Sequence, residues 1–213
     1  EDWIYSTTFG LNEEAVADDF VSPVFDGLDT YADVYLNDSL VLRADNMFRR
    51  WEVPAKALLK PQDNRLELYF HSPIRVGLPK FDALSYRHEA GNDQSQNGGI
   101  MDKQVSVFAR KAGYHYGWDW GPRLVTSGIW RPIYLQSWSG PKIDDVFVRT
   151  LSLAGKKAAM QADVEISLSG ALKNCELVVE NKTDRRVVAR RKVSLDSGIN
   201  RVAIPFEVKN PRL

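Results

Sequence analysis

Apolar and polar positions along this chain alternate with a period of two far more often than they follow a helical repeat. In Arg65-Leu66-Glu67-Leu68-Tyr69-Phe70 the alternation is clean, which predicts a strand with one buried face. WIYSTTF, residues 3–9, is β-branched and aromatic and reads as a second strand. Residues 21–38, VSPVFDGLDTYADVYLND, give two strand-like runs split by turn signals at Asp26-Gly27 and Asp29-Thr30. Asn37-Asp38 predicts a hairpin turn into Leu40-Val41-Leu42. NEEAVADD, residues 12–19, is acidic and solvated, a helical turn or a loop. WEVPAKALLKPQDN, residues 51–64, predicts a strand and one helical turn ended by Pro61.

The alternation disappears over residues 76–106. GNDQSQNGG, residues 91–99, is polar and aperiodic, with almost no apolar surface to offset the entropy of ordering, so it is expected to be a long mobile loop. Short helices are expected at 81–88 and 103–111. From residue 129 the β pattern returns, with turn signals at intervals of about ten residues, the spacing of an all-β sandwich. Ser139-Gly140-Pro141 is a small, turn-rich joint. The pattern therefore predicts two all-β domains, residues 1–139 and 140–213.

Composition removes several function classes. The 213 residues are 44% apolar and 26% charged, ordinary values for a globular protein. Twenty-eight basic residues balance twenty-eight acidic ones, so no overall field draws nucleic acid or an anionic membrane. Residues 171–213 hold ten Lys or Arg against five Asp or Glu, but Val187-Val188 and Val193 interrupt the basic run in strand fashion. No aromatic ladder accompanies it, and the reading is a solvated strand face, with no nucleic-acid partner. No apolar run is long enough for a helical membrane span. The single cysteine, Cys175, excludes an intrachain disulfide and fits export and cytosol alike. His71, His88 and His115 lie far apart without metal-ligand spacing, and there is no phosphate loop or nucleophile elbow. Neither a metal nor a cofactor is expected.

Candidate chemistry concentrates in residues 114–136, YHYGWDWGPRLVTSGIWRPIYLQ. Trp118, Trp120 and Trp130 offer flat apolar faces of the kind that stack on sugar rings, and Asp119 can accept hydroxyl hydrogen bonds. In an extended strand Trp118 and Trp120 would share one face and Asp119 would point away. Gly117 and Gly121-Pro122 bracket the aspartate and predict a sharp turn, which could bring Trp118 and Asp119 to one cavity. The residues equally allow a structural account, with tryptophans in a core and the aspartate capping a turn or answering Arg123. His115 reads as a hydrogen-bonded wall residue, and Cys175 as a buried, inert thiol.

This segment resembles glycoside hydrolase family 2, and within it the β-mannosidase branch. The carriers are Arg110-Lys111, the run from Tyr114 to Leu124, and Ser127-Gly128-Ile129-Trp130-Arg131-Pro132-Ile133. Upstream, Phe25 to Ala32, Val34-Tyr35-Leu36-Asn37, Asn46-Met47-Phe48, Asn64-Arg65-Leu66 and Ser72-Pro73-Ile74 support it, so the likeness runs across most of residues 1–150. The resemblance implies an N-terminal jelly-roll (galactose-binding-like) sandwich followed by an immunoglobulin-like sandwich. It implies that Trp118 and Asp119 line a sugar pocket at the mouth of a catalytic (β/α)₈ barrel. That barrel would be a partner domain of the same polypeptide, carrying the two glutamates of a retaining exo-β-mannosidase. Starting at Glu1-Asp2-Trp3 and stopping at Arg212-Leu213, the chain is expected to be an excised piece, short of its first jelly-roll strand or strands and its last immunoglobulin strand. It is expected to contain no catalytic residue and to be inactive by itself. The substrates implied are terminal β-mannosides, with a β-galactosidase or β-glucuronidase relative and a stand-alone carbohydrate-binding module as alternatives.

Overall fold

The computed structural model describes residues 1–211, and they divide into two compact units, Glu1–Ser137 and Trp138 onward. The first unit runs β1 (Trp3–Phe9), α1 (Glu13–Ala17), β2 (Phe20–Phe25), β3 (Leu28–Asp29), β4 (Tyr31–Leu36), β5 (Ser39–Asp45), β6 (Trp51–Glu52), β7 (Asn64–His71), α2 (Pro73–Asp82), β8 (Gly128–Ile129) and β9 (Ile133–Trp138). One sheet has the order β1-β7-β4-β5, all antiparallel, and a second has the order β6-β2-β9.

Alternation sets the core. In β4 Ala32, Val34 and Leu36 are buried, and in β7 Leu66, Leu68 and Phe70 point to the same interior. Phe25 and Leu28 meet them from the β2–β3 side, with Ile133 of β9 and Trp51 of β6 packed around the cluster. The hairpin turn forms where the sequence places it: Asn37 and Asp38 adopt φ of 48° and 64°, the left-handed pair that Asn and Asp tolerate best. The Asn37 side chain also secures β7, the other neighbour of β4, accepting from Arg65 N–H at 2.9 Å. The acidic stretch folds as the one-turn α1, capped by Asn12, whose side chain accepts from Ala15 N–H at 2.9 Å.

The expected helices lie elsewhere. The helix is Pro73–Asp82 instead of 81–88, because Ser72 caps it and Pro73 supplies a first turn that needs no N–H. Asp2 stabilises the same start, accepting from Ser72 N–H at 2.8 Å, which holds its carboxyl below the usual range. Over 103–111 only a 3-10 turn forms, at Ser106–Phe108. Between α2 and β8, residues 83–127 form an irregular arm with no strand of its own. Gly77 in α2 leaves room for the fully buried Val105, so the arm packs onto the helix. The stretch expected to be a mobile loop is not a free tether: Asp93 and Ser95 are buried, and residues 95–98 make a 3-10 turn.

The second unit contains β10 (Lys142–Ala154), β11 (Lys157–Leu168), β12 (Leu172–Glu180), β13 (Val187–Leu195) and β14 (Gly198–Lys209). Its sheets have the orders β10-β11-β14 and β12-β13. Ala162, Val164, Ile166 and Leu168 of β11 pack with Ile204 and Leu195, and Cys175, Leu177 and Val179 cover them from β12. Cys175 is half-buried against that core, its thiol donating to the Val193 carbonyl at 3.2 Å, while Arg190 pairs with Glu176 on the solvent side.

Candidate functional site

The Trp-Asp-Trp run is a tight hairpin. Trp118 and Gly121 form an antiparallel bridge, with Gly121 N–H donating to the Trp118 carbonyl at 2.5 Å. Asp119 and Trp120 therefore occupy the two tip positions, as the flanking glycines predict. Gly117 has φ of 122°, a conformation that L side chains rarely adopt, and this starts the bend. Trp118 is 54% exposed and Trp120 86% exposed, so neither belongs to a core among the described residues. The Asp119 carboxylate is exposed and has no hydrogen-bond or ion-pair partner among the described residues. An apolar ring face beside an unpaired acceptor can stack on the C–H face of a sugar and receive its hydroxyls.

Asp119 does not answer Arg123; Asp93 does. The Arg123 Nε and Nη2 atoms each lie 3.2 Å from Asp93 Oδ1, and both side chains are almost fully buried. The same guanidinium stacks over the Tyr116 ring at 5.6 Å. Tyr116 is completely buried, and that burial pushes its phenol above the ordinary range. A second buried pair lies nearby, where the Lys111 ammonium meets Asp29 and donates to the Thr126 carbonyl at 2.8 Å. Burial pulls the Lys111 ammonium down, and the Asp29 carboxylate opposes the shift. His115 Nδ1 lies 3.1 Å from Thr126 Oγ1 and the ring is half-buried, so the hydrogen bond expected of it is present.

Trp130 serves the scaffold. Its indole N–H donates to the Met47 carbonyl at 2.9 Å, its ring lies against Gly27, and the Arg131 guanidinium covers it at 4.2 Å. It sits just past the short β3–β8 ladder, Leu28 opposite Ile129 and Asp29 opposite Gly128, which returns the arm to the sandwich. Of the hollows in this unit, which measure about 390–460 Å³, two lie along β1. One, of about 460 Å³, is apolar and opens between the sheets beside Tyr5, Phe9, Leu66 and Ile133; the other, of about 390 Å³, runs beside Trp3, Tyr5 and Leu124. Trp118 and Asp119 line neither, so the shared cavity imagined for them is not formed by these two hollows.

Residues 1–131 match the family model described as glycosyl hydrolase 2 galactose-binding domain-like. The chain belongs to that glycoside hydrolase family 2 group. It is 30% identical over 211 residues to β-mannosidase B of Thermothelomyces thermophilus, covering 99% of this chain and 23% of the relative. To β-mannosidase B of Aspergillus oryzae it is 32% identical over 213 residues, covering 99% and 24%. The crystal structure of β-D-mannosidase from Dictyoglomus thermophilum aligns with a TM-score of 0.77 at 33% identity, over 100% of this chain and 25% of that one. A β-glucuronidase from Bacteroides uniformis aligns with a TM-score of 0.65 at 12% identity, over 100% and 22%, and shares the fold alone. The chain spans about a quarter of the length of the relatives it matches.

The family 2 resemblance read in the sequence is thus borne out, as is the all-β, galactose-binding-like class. What the sequence reading missed is the polar framework beneath the hairpin. Lys111 and Asp29 both lie in the runs that carry the family resemblance, and nothing local in the sequence shows that they pair. Asp93 was hidden in a stretch whose composition signals disorder. A polar residue whose partner lies 30 positions away in sequence reveals its pairing only after folding.

Proposed function

We propose that this chain is a non-catalytic N-terminal region of a retaining exo-β-mannosidase that hydrolyses terminal β-linked mannose. Residues 1–139 serve as its jelly-roll domain and residues 140–213 as part of an immunoglobulin-like domain. The region packs on a catalytic barrel contributed by the rest of the polypeptide and presents Trp118 and Asp119 to the non-reducing-end sugar. The observation that carries the reading is the exposed hairpin, whose unpaired Asp119 carboxylate and open Trp118 ring have no use within the described residues. The names of the relatives, β-mannosidase B and β-D-mannosidase, support the substrate class. No cofactor enters the mechanism, since a pair of carboxylates suffices for glycoside hydrolysis.

The test is Asp119→Ala in the full-length polypeptide, assayed on nitrophenyl β-mannoside. Hydrogen bonds to a charged acceptor contribute about 1.5–3 kcal/mol, so kcat/KM falls roughly ten- to a hundredfold. Full activity accompanied by a sharply lowered melting temperature would instead make Asp119 structural and remove the pocket assignment. The 213-residue chain alone releases no nitrophenol above the uncatalysed rate; turnover that survives repurification would require a second active site. A stand-alone carbohydrate-binding module would bind free mannosides as the isolated chain, whereas a pocket wall does not.

A further inference from the structure

The hairpin that carries Asp119 has two legs, and two consecutive residues of a distant loop hold both. On the incoming leg, the Tyr116 carbonyl accepts from Gln94 N–H at 2.9 Å. Gly117 then passes so close to Gln94 that a Cβ would lie 2.6 Å from the Gln94 side chain. On the outgoing leg, Arg123 places two nitrogens 3.2 Å from Asp93 Oδ1. Asp93 is itself immobilised: its Oδ2 accepts from Val105 N–H at 2.7 Å and Ser106 N–H at 2.9 Å, and its own N–H donates to Ala90 at 2.8 Å. Gly98 is the residue that lets the loop close over the guanidinium, since a side chain there would collide with it. Between the legs only Trp118 to Pro122 remain, and they make a two-residue turn with no further anchor to the sandwich among the described residues.

We infer that Asp93 and Arg123 form a buried clamp that fixes the backbone of the Asp119 turn, which makes them positioning residues for the ligand that the turn meets. A surface turn with one bridge has many accessible conformations, and ordering it on ligand binding costs entropy. The clamp removes that cost in advance by tying both legs to a loop already fixed against Val105 and Ser106. Its charges are hidden from solvent, so its grip does not weaken with salt as a surface pair would. The functional part of the inference rests on the sugar-contact reading of Asp119; the structural part does not.

The test uses Asp93→Asn/Arg123→Met in the full-length polypeptide, which removes both charges so that neither is left buried alone. Amide hydrogen exchange in the segment 117–122 is expected to rise about tenfold or more, the equivalent of one lost charge-assisted bond, while amides of β4 and β7 keep their parent rates. Unchanged exchange at 117–122, or a rise shared equally by β4 and β7, overturns the clamp. The double variant is then combined with Asp119→Ala and assayed on nitrophenyl β-mannoside. A clamp acting through Asp119 makes the two lesions non-additive, with the combined kcat/KM within about threefold of the worse one. A fully multiplicative loss overturns the positioning role. If Asp119→Ala alone leaves kcat/KM unchanged, the sugar-contact assignment fails, and the exchange rates still decide the clamp.

Discussion

The sandwich of the first unit and the arm of residues 83–127 reach a folded state by different means. In the sandwich, Phe25, Val34 and Phe70 meet between two sheets whose backbones satisfy one another strand by strand. The arm has no ladder until β8, and at its centre it buries charges: Lys111 with Asp29, and Arg123 with Asp93. Apolar contacts are non-directional and tolerate exchange among residues of similar volume. Buried ion pairs are directional, and losing one partner leaves an uncompensated charge. The sandwich therefore supplies stability, and the arm supplies a defined shape at a place where apolar packing would not specify one.

Mutations can break that contrast, beginning with the sandwich. Phe70→Ala in the 213-residue chain is expected to cost about 3–5 kcal/mol and to lower the denaturant midpoint of the first unit as a whole. A loss confined to local fraying would show that the sheets do not share one cooperative core. In the arm, Lys111→Met strands the Asp29 carboxylate and is expected to cost roughly 3 kcal/mol or more, most of it recovered by adding Asp29→Asn. The recovery separates the two regions, because no second substitution should repair Phe70→Ala in that way. Failure of the double variant to recover would mean that the pair itself, and not the orphaned charge, provides the stability.

A smaller effect concerns pH. Burial, with the Lys111 charge beside it, holds the His115 imidazole below the ordinary value of 6.5. The folded chain thus binds this proton less readily than the unfolded chain does. Its contribution is fully present above about 6.5 and is lost as pH falls through the lowered folded value. His115→Gln should flatten the stability–pH curve in that acidic window, and an unchanged curve would remove His115 from the account. The smallest effect is expected at the tip: Asp119→Ala and Trp120→Ala should each change the stability of the chain by no more than about 0.5 kcal/mol, since both side chains are exposed.

The same contrast explains how much was legible in the sequence. Period-two runs such as residues 65–70 announce strands because one face must be buried, and the hairpin at Asn37-Asp38 follows from local backbone preference. The bend at Asp119 was equally visible, since Gly117 and Gly121-Pro122 leave few other conformations. Helix α2 was displaced in the reading because its start is set by the Ser72-Pro73 cap while its apolar pattern is weak. Asp93 was illegible for a deeper reason. Glycine, asparagine and glutamine around it carry the signature of a solvated loop, and its partners, Val105, Ser106 and Arg123, come from three later positions that no local pattern connects.

The seating of Trp130 against Gly27 limits what this surface can become over evolutionary time. The indole is held by a hydrogen bond to Met47 on one side and by the bare backbone of Gly27 on the other. A methyl group at position 27 would displace the ring and break that bond, and a smaller residue at 130 would leave a gap that the glycine cannot fill. Neither position can drift alone, so accepted substitutions at 27 and 130 should arrive together, leaving a paired footprint in descendant sequences at two sites more than a hundred residues apart.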